Sequence, residues 1–304
     1  MVNSVKSEIT VKLPRGLAKA NPLFGDREGL CLMKDMVSII IPTYNRAGIV
    51  SRAIQSVLNQ TYQEYEIIVV DDGSQDNTKE IIAGIIDDRI RYIPLETNQG
   101  VAHARNVGIQ EARYDYIAFL DSDDEWLPNK LELQMQKMQE SSSKVGVIFC
   151  RMGGKLRNSE ERFVCPPKSY TKEILEGNIF YPLLLKNVIG TPAMLVRKSC
   201  LEQTGGFKEA LQCIEDWELV LRIAKNWSIG FVDEILVEVH KSEGSISTNT
   251  VGYLITRCYM VSCYRKEMEK AGILERIQND ILSVAEKCNI YEEIKELLTR
   301  DIQL

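Results

Sequence analysis

The chain has 304 residues, a hydrophobic fraction of 44%, a charged fraction of 26% and a net charge of -6. This suffices for one large α/β domain with an appendage, or for two modest domains, and the acidic balance gives no general attraction to nucleic acid or anionic lipid. No apolar run reaches the length of a membrane span and the first residues lack the apolar centre of a secretory signal, so a cytoplasmic protein is expected.

Residues 1–35 carry Pro14, Gly16, Pro22, Gly25 and Gly29 with no sustained apolar period, and read as an N-terminal extension that is loosely ordered or drapes over the domain. From Val37 the pattern changes to repeated strand-then-helix units, which predict a mostly parallel sheet flanked by helices. Val37 to Ile41 is the first strand, followed by the turn Pro42-Thr43-Tyr44-Asn45-Arg46 and a helix marked by Val50, Ile54, Val57 and Leu58. Glu66 to Val70 is the second strand and ends in Asp71-Asp72-Gly73-Ser74. A helix over Thr78 to Ile86 is expected to turn Ile81, Ile82 and Ile85 inward, and Arg89 to Pro94 forms a third strand. Asn98-Gln99-Gly100 opens a helix containing Ala102, Ala104, Val107 and Ile109. The fourth strand, Tyr116 to Leu120, stops abruptly at Asp121-Ser122-Asp123-Asp124-Glu125.

Residues two apart in a strand face the same side, so Asp121 and Asp123 can both address one point beyond the strand's carboxyl end. Mg²⁺ or Mn²⁺ suits that point, since such ions take one or two carboxylates together with substrate phosphates and water. The alternative is a solvated acidic turn in which Asp124 caps a helix beginning near Leu127-Pro128. Ligands of open α/β sheets bind outside the carboxyl ends of the strands. Three strand ends there carry Pro42-Thr43-Tyr44, Asp71-Asp72 and Asp121-Ser122-Asp123, which points to a nucleotide site with a metal at one end. No GxGxxG or GxxxxGK[ST] follows the first strand, so phosphate charge falls to a bound cation and to Arg46 or Arg105.

Further on, Leu131, Met135 and Met138 mark a helix face, Val145 to Phe149 a strand, and Pro192 to Val196 another strand beneath the site. Between them, Arg151 to Asn187 is irregular. Trp217, Val220, Leu221 and Ala224 form a helical stripe beginning at Glu215-Asp216; an acid in that first turn is ordinarily a cap or a partner of the helix dipole. Val232 to Val239 reads as one or two strands, followed by His240-Lys241-Ser242-Glu243-Gly244-Ser245. Residues 251–304 are amphipathic and helical, with matched charges that argue against a membrane-lying helix; packing on the main domain or a homodimer contact is expected. The eight cysteines form no CxxC pair and the two histidines lie far apart, which disfavours zinc; Cys150 and Cys258 read as small hydrophobes in a reducing compartment.

Taken together, Ile41-Pro42-Thr43-Tyr44-Asn45-Arg46, Val69-Val70-Asp71-Asp72-Gly73-Ser74, Asn98-Gln99-Gly100 with Ala104-Arg105-Asn106, and Phe119-Leu120-Asp121-Ser122-Asp123-Asp124 resemble the nucleotide-sugar-binding half of the family 2 glycosyltransferases, enzymes of the GT-A fold. The resemblance continues through Gly205-Gly206-Phe207 and Glu215-Asp216-Trp217-Glu218, over about two thirds of the chain. It implies a glycosyltransferase domain over residues 36–250, with a nucleotide-sugar half at 36–126 and an acceptor half at 127–250, followed by a helical region at 251–304. It implies that Pro42, Thr43 and Tyr44 line the nucleobase and ribose pocket, that Asp72 accepts a hydrogen bond from the base, and that Arg46, Arg105 and Ser122 lie along the donor. Asp121 and Asp123 become the DxD element, with Asp123 the direct ligand of Mn²⁺ or Mg²⁺, and Asp216 the general base of an inverting transferase, with Glu215 as runner-up. His240 is a third metal ligand, a phosphate donor or a surface histidine. The donor implied is a UDP-sugar; the acceptor is a glycan, a lipid-linked sugar or a protein side chain. Two rivals are a sugar-phosphate nucleotidyltransferase, whose Gly-rich basic loop is missing here, and a non-catalytic nucleotide-sugar-binding partner subunit.

Overall fold

The computed structural model describes residues 35–155, 160–240, 249–300 and 302. The strands, in chain order, are Val37–Thr43 (β1), Tyr65–Asp71 (β2), Ile90–Pro94 (β3), Tyr116–Phe119 (β4), Glu125–Trp126 (β5), Val145–Lys155 (β6), Arg162–Cys165 (β7), Met194–Arg197 (β8) and Ser228–Val239 (β9). They form one sheet in the order β3-β2-β1-β4-β8-β6-β9-β5, with β7 attached to β6. The first four strands are mutually parallel and joined by Val50–Leu58 (α1), Thr78–Ala83 (α2) and Val101–Glu111 (α3), as the alternation of apolar strand and amphipathic segment predicts. The second half is mixed, because β8 enters antiparallel between β4 and β6.

Side-chain alternation along β1 builds two cores at once. Ile39 and Ile41 pack on one face with Val50, Ile54 and Val57 of α1 and with Leu131, Met135 and Met138 of Lys130–Glu140 (α4). Ile40 packs on the other face, with Ala104 of α3 and Trp217 and Val220 of Glu215–Ala224 (α8). The helices Thr250–Lys270 (α9), Leu274–Lys287 (α10) and Tyr291–Leu297 (α11) join this second core through Leu254, Cys258, Val261, Ile277, Ile281 and Ile294. The periodic apolar residues of the C-terminal region thus find their partner surface within the same chain. Each fully buried aliphatic side chain contributes about 1.5–3 kcal/mol. Gly108 lets α3 lie close on β1, since a Cβ there would meet Ile40 Cγ2 at 2.4 Å.

Several local expectations change. The second helix ends at Ala83, with Ile82 buried but Ile81 39% exposed. The acidic segment leads into a two-residue strand rather than a helix: β5 pairs with β9, and α4 starts only at Lys130, after an Asn129 that makes no side-chain cap bond. Asp124 is therefore no helix cap; it is 5% exposed and accepts from the His240 backbone N–H at 3.0 Å. The predicted strand at Pro192 begins as a 3-10 turn, Thr191–Ala193, before β8. Lys130 lies fully buried, its ammonium 3.8 Å from the Trp126 ring centroid and 2.6 Å from Gln134 Oε1. No helix among the described residues is long and apolar enough to cross a membrane.

Candidate active site

The carboxyl ends of β1 and β2 are locked to each other by their turns. Asn45 adopts φ 52, its N–H donates to Ser74 Oγ at 2.8 Å, and its Oδ1 accepts from Gln75 N–H at 2.8 Å. The Arg46 N–H donates to Thr78 Oγ1 and the Ala47 N–H to Asp76 Oδ2. Beneath them Asp71 accepts from the Ser74 N–H and the Tyr92 hydroxyl. Gly73, at φ 78, is required because a Cβ would sit 2.9 Å from the Thr97 carbonyl carbon. Asp72 binds the start of α3 with both oxygens, accepting from Gln99 and Gly100 N–H at 2.9 and 2.8 Å. Burial raises its carboxyl above the ordinary range, against the lowering effect of those two bonds.

The acidic end of β4 is tied to the start of α8 by one cation. Arg105, 4% exposed, donates from Nη2 to Asp121 Oδ1 at 2.7 Å and from Nη1 to Glu215 Oε1 at 2.5 Å, with its guanidinium 5.2 Å from the Phe207 ring centroid. The two carboxylates outweigh desolvation and hold the guanidinium protonated, so its value rises. Asp123 lies 3.8 Å from Arg46, and its backbone carbonyl accepts from Arg52 Nη2 at 2.6 Å. Burial, then the charges of Asp121 and Asp123, push the Asp124 carboxyl up to about 8.

Between these edges lies a cavity of about 550 Å³. Pro42, Thr43, Tyr44, Arg46, Asp72, Arg105, Asp121, Ser122, Asp123, Glu215 and Asp216 all line it, so the structure gathers these sequence-selected residues in one place. His240 is not on its wall: the ring Nε2 stands 2.9 Å from Glu125 Oε1, which is also 3.0 Å from Arg52 Nε. The cavity adds residues that sequence reasoning did not name as site residues. Asn98, Gly100, Val101 and Ala104 come from the start of α3, where the Asn98-Gln99-Gly100 motif was the available signal; Asn187, Thr191, Cys213 and Ile214 had no local signal.

Two groups on this wall have unused bonding capacity. Thr43 Oγ1 is buried without a hydrogen-bond partner among the described residues. Asp216 takes the Trp217 N–H and, at 3.4 Å, Asn187 Nδ2 on Oδ1, while Oδ2 accepts no bond from the described residues. Burial first, then the neighbouring Glu215 charge, push the Asp216 carboxyl up to about 7, with Arg105 and the Trp217 N–H acting the other way. The residue before Glu215, Ile214, is β-branched yet left-handed at φ 52, ψ 31, a conformation that costs roughly 1–2 kcal/mol. Such strain is typical of functional sites. Among the described residues no three His, Cys, Asp or Glu side chains converge as a metal cage. Asp121 and Asp123 nevertheless fit a hard divalent ion of the kind whose shell is completed by phosphates and water.

Comparison with known proteins gives concordant results. Residues 38–202 match the profile described as Glycosyl transferase family 2. An uncharacterized glycosyltransferase of Rickettsia typhi is 36% identical over 220 residues, covering 71% of this chain and 66% of the relative, so this chain spans just under two thirds of that relative's length. The Escherichia coli UDP-Glc:alpha-D-GlcNAc-diphosphoundecaprenol beta-1,3-glucosyltransferase WfgD is 35% identical over 220 residues, 70% of this chain and 80% of that one. Among solved structures, S. aureus TarS 1-349 in complex with UDP-GlcNAc superposes with a TM-score of 0.60 at 20% identity, covering 86% of this chain and 84% of that one. The mannosyltransferase PcManGT from Pyrobaculum calidifontis, in complex with GDP-Man and Mn2+, gives 0.58 at 16% identity, covering 83% and 75%. At these identities the structures establish the shared fold.

Proposed function

The chain belongs to glycosyl transferase family 2, and from that premise we propose that it transfers a sugar from a UDP-sugar to an acceptor hydroxyl with inversion and with the help of Mn²⁺ or Mg²⁺. The observation that carries this reading is the one cavity lined together by a Thr43 hydroxyl without a partner among the described residues, the Asp121 and Asp123 carboxylates, and a half-buried Asp216 whose Oδ2 accepts no bond from the described residues. The UDP-GlcNAc complex of TarS and the UDP-Glc named for WfgD support the uridine donor; the Mn2+ complex of PcManGT supports the cation. The diphosphoundecaprenol-linked acceptor named for WfgD supports a glycan or lipid-linked acceptor over a protein side chain.

In this reading Thr43 and Tyr44 hold the base and ribose. Asp72, with spare lone pairs after binding two backbone N–H groups, accepts from the base. Asp123 and Asp121 would hold the cation, with Ser122 between them along the donor, and Arg46 faces the phosphates; His240, on Glu125, is outside this ligand set. When bound, the cation neutralises charge on the departing diphosphate. Asp216 Oδ2 receives the acceptor's proton as the acceptor oxygen bonds to the anomeric carbon and the bond to the diphosphate oxygen breaks. A value near 7 suits that base to neutral pH. Arg105 keeps Asp121 and Glu215 in register across the cavity floor, so donor and base are held in line.

The test is thermal stability with Mn²⁺ plus UDP, GDP, CDP or dTDP. A hundredfold excess over the dissociation constant stabilises by about 2.7 kcal/mol. UDP is expected to give a Mn²⁺-dependent shift that Asp123→Asn removes; no shift with any nucleotide overturns the proposal.

A further inference from the structure

Both donors that reach the Asp216 carboxyl settle on Oδ1, and they come from different parts of the chain. The Trp217 N–H, at 2.6 Å, belongs to α8 itself. Asn187 Nδ2, at 3.4 Å, comes from the segment between the helix Phe180–Leu185 and the 3-10 turn Thr191–Ala193. Asn187 lines the cavity, and its amide has one orientation open to it. The side-chain oxygen accepts from the Ile189 N–H at 3.1 Å, closing an Asx turn, so Nδ2 is the atom that faces Asp216. Turned the other way, the amide would set oxygen against carboxylate oxygen and N–H against N–H.

Two tethers hold this segment in place. Trp217, whose N–H binds Oδ1, also donates from Nε1 to the Leu183 carbonyl at 2.6 Å, upstream of Asn187. Downstream, Trp126 Nε1 donates to the Pro192 carbonyl at 2.9 Å and Gln134 Nε2 to the Ala193 carbonyl at 2.8 Å. Asn187 stands between these clamps. Its bond to Oδ1 is long, and catalytic hydrogen bonds commonly tighten only once substrate is bound. We propose that Asn187 is the positioning residue of the base: by donating to Asp216 Oδ1 it leaves Oδ2 as the oxygen that receives the acceptor's proton, and it favours the ionised carboxylate. The proposal rests on the transferase reading above and assigns the residue that aims its base. The charged and titratable groups around that carboxyl are Glu215 and Cys213 on its own segment, Arg105 from α3, Asp121 at the end of β4 and Cys165 of β7. Removing a donor from the charged form raises a carboxyl's value.

The experiment compares wild type, Asn187→Ala and Asn187→Ser, each alone and combined with Asp216→Asn, in the full chain with Mg²⁺. Ser can keep the turn bond to the Ile189 N–H but is too short to bring a donor to Asp216, so it keeps the test decisive should Asn187→Ala fail to fold. Two quantities are followed against pH: UDP release from UDP-GlcNAc or UDP-glucose with water as acceptor, and the ¹³C NMR titration of the Asp216 carboxyl, assigned by its loss in Asp216→Asn. In both single variants kcat for release is expected to fall about 10²-fold with KM for the donor constant. The acidic limb and the carboxyl midpoint should both move up by about one pH unit. In the Asp216→Asn background the same changes should cost nothing further. An unmoved midpoint, or losses that multiply in the double variants, overturns the positioning role alone. Undiminished release by Asp216→Asn removes the parent base assignment, and this inference with it.

Discussion

The two walls of the cavity are built on opposite principles. On the wall made by the ends of β1 and β2, most polar groups are satisfied internally, with the Thr43 hydroxyl as the exception: Asn45, Asp71, Asp72, Asp76 and Thr78 bond backbone groups of neighbouring turns. On the wall made by the start of α8, Asp216 Oδ2 accepts no bond from the described residues and Ile214 is held left-handed. A pre-organised wall limits the freedom lost when a ligand binds. The other wall stores unfavourable terms that an incoming acceptor can relieve. Affinity for donor should accordingly be robust to substitutions on the α8 side, and turnover should not.

The sharpest way to break this contrast is Asp216→Asn, expected to lower transfer by about 10²–10⁴-fold while the UDP thermal shift is preserved; transfer at wild-type rate would remove the base assignment. The same substitution should stabilise the fold at neutral pH. The Asp216 carboxyl rises from 3.8 unfolded to about 7 folded, so between those values the native state holds a proton that the unfolded chain has released. Its contribution therefore becomes less favourable as pH rises through that window, and Asn, which cannot titrate, escapes the loss. Transfer by wild type should rise with pH to a plateau above about 7, and a profile flat from pH 5 to 8 would contradict it.

On the satisfied wall, Gly73→Ala combines positive φ with a backbone clash and is expected to destabilise by about 1–3 kcal/mol, read from urea midpoints, with UDP affinity falling alongside. Smaller still, Lys130→Met replaces a fully buried ammonium whose value burial pushes down to about 8. The native chain binds fewer protons than the unfolded one above that pH, so wild-type stability should climb from about pH 8 upward. Lys130→Met should be on the order of 1 kcal/mol more stable at pH 7 and lack that climb.

The same contrast decides what the sequence disclosed. Continuous apolar strands and local turn chemistry made β1 to β4 legible, and the polar residues at their ends follow from topology alone. Long-range pairing was hidden. Nothing near Arg105 announces Glu215, 110 positions away, as its partner, and the apolar period of α9 says nothing of Arg257 stacking on Trp217. A two-residue strand such as β5 has no period to detect, so the acidic run left open a metal-facing strand end or an acidic turn before a helix, with no sign of a strand at Glu125–Trp126. The mixed second half of the sheet depends on β8 inserting between β4 and β6, a matter of global topology. The loop after His240, at 241–248, lies outside the described residues, as does the expected N-terminal extension.

The interlocked turns also constrain engineering. Because the backbone of residues 45–47 is held by side chains of 74–78, and Asn45 in turn holds Gln75, neither loop owns its own shape. A graft that exchanges one of them to alter donor choice imports half of a clasp. Residues 43–47 and 71–78 form a single transplantable module despite the helix and strand between them, and libraries that vary both together should yield folded members far more often than libraries that vary either alone.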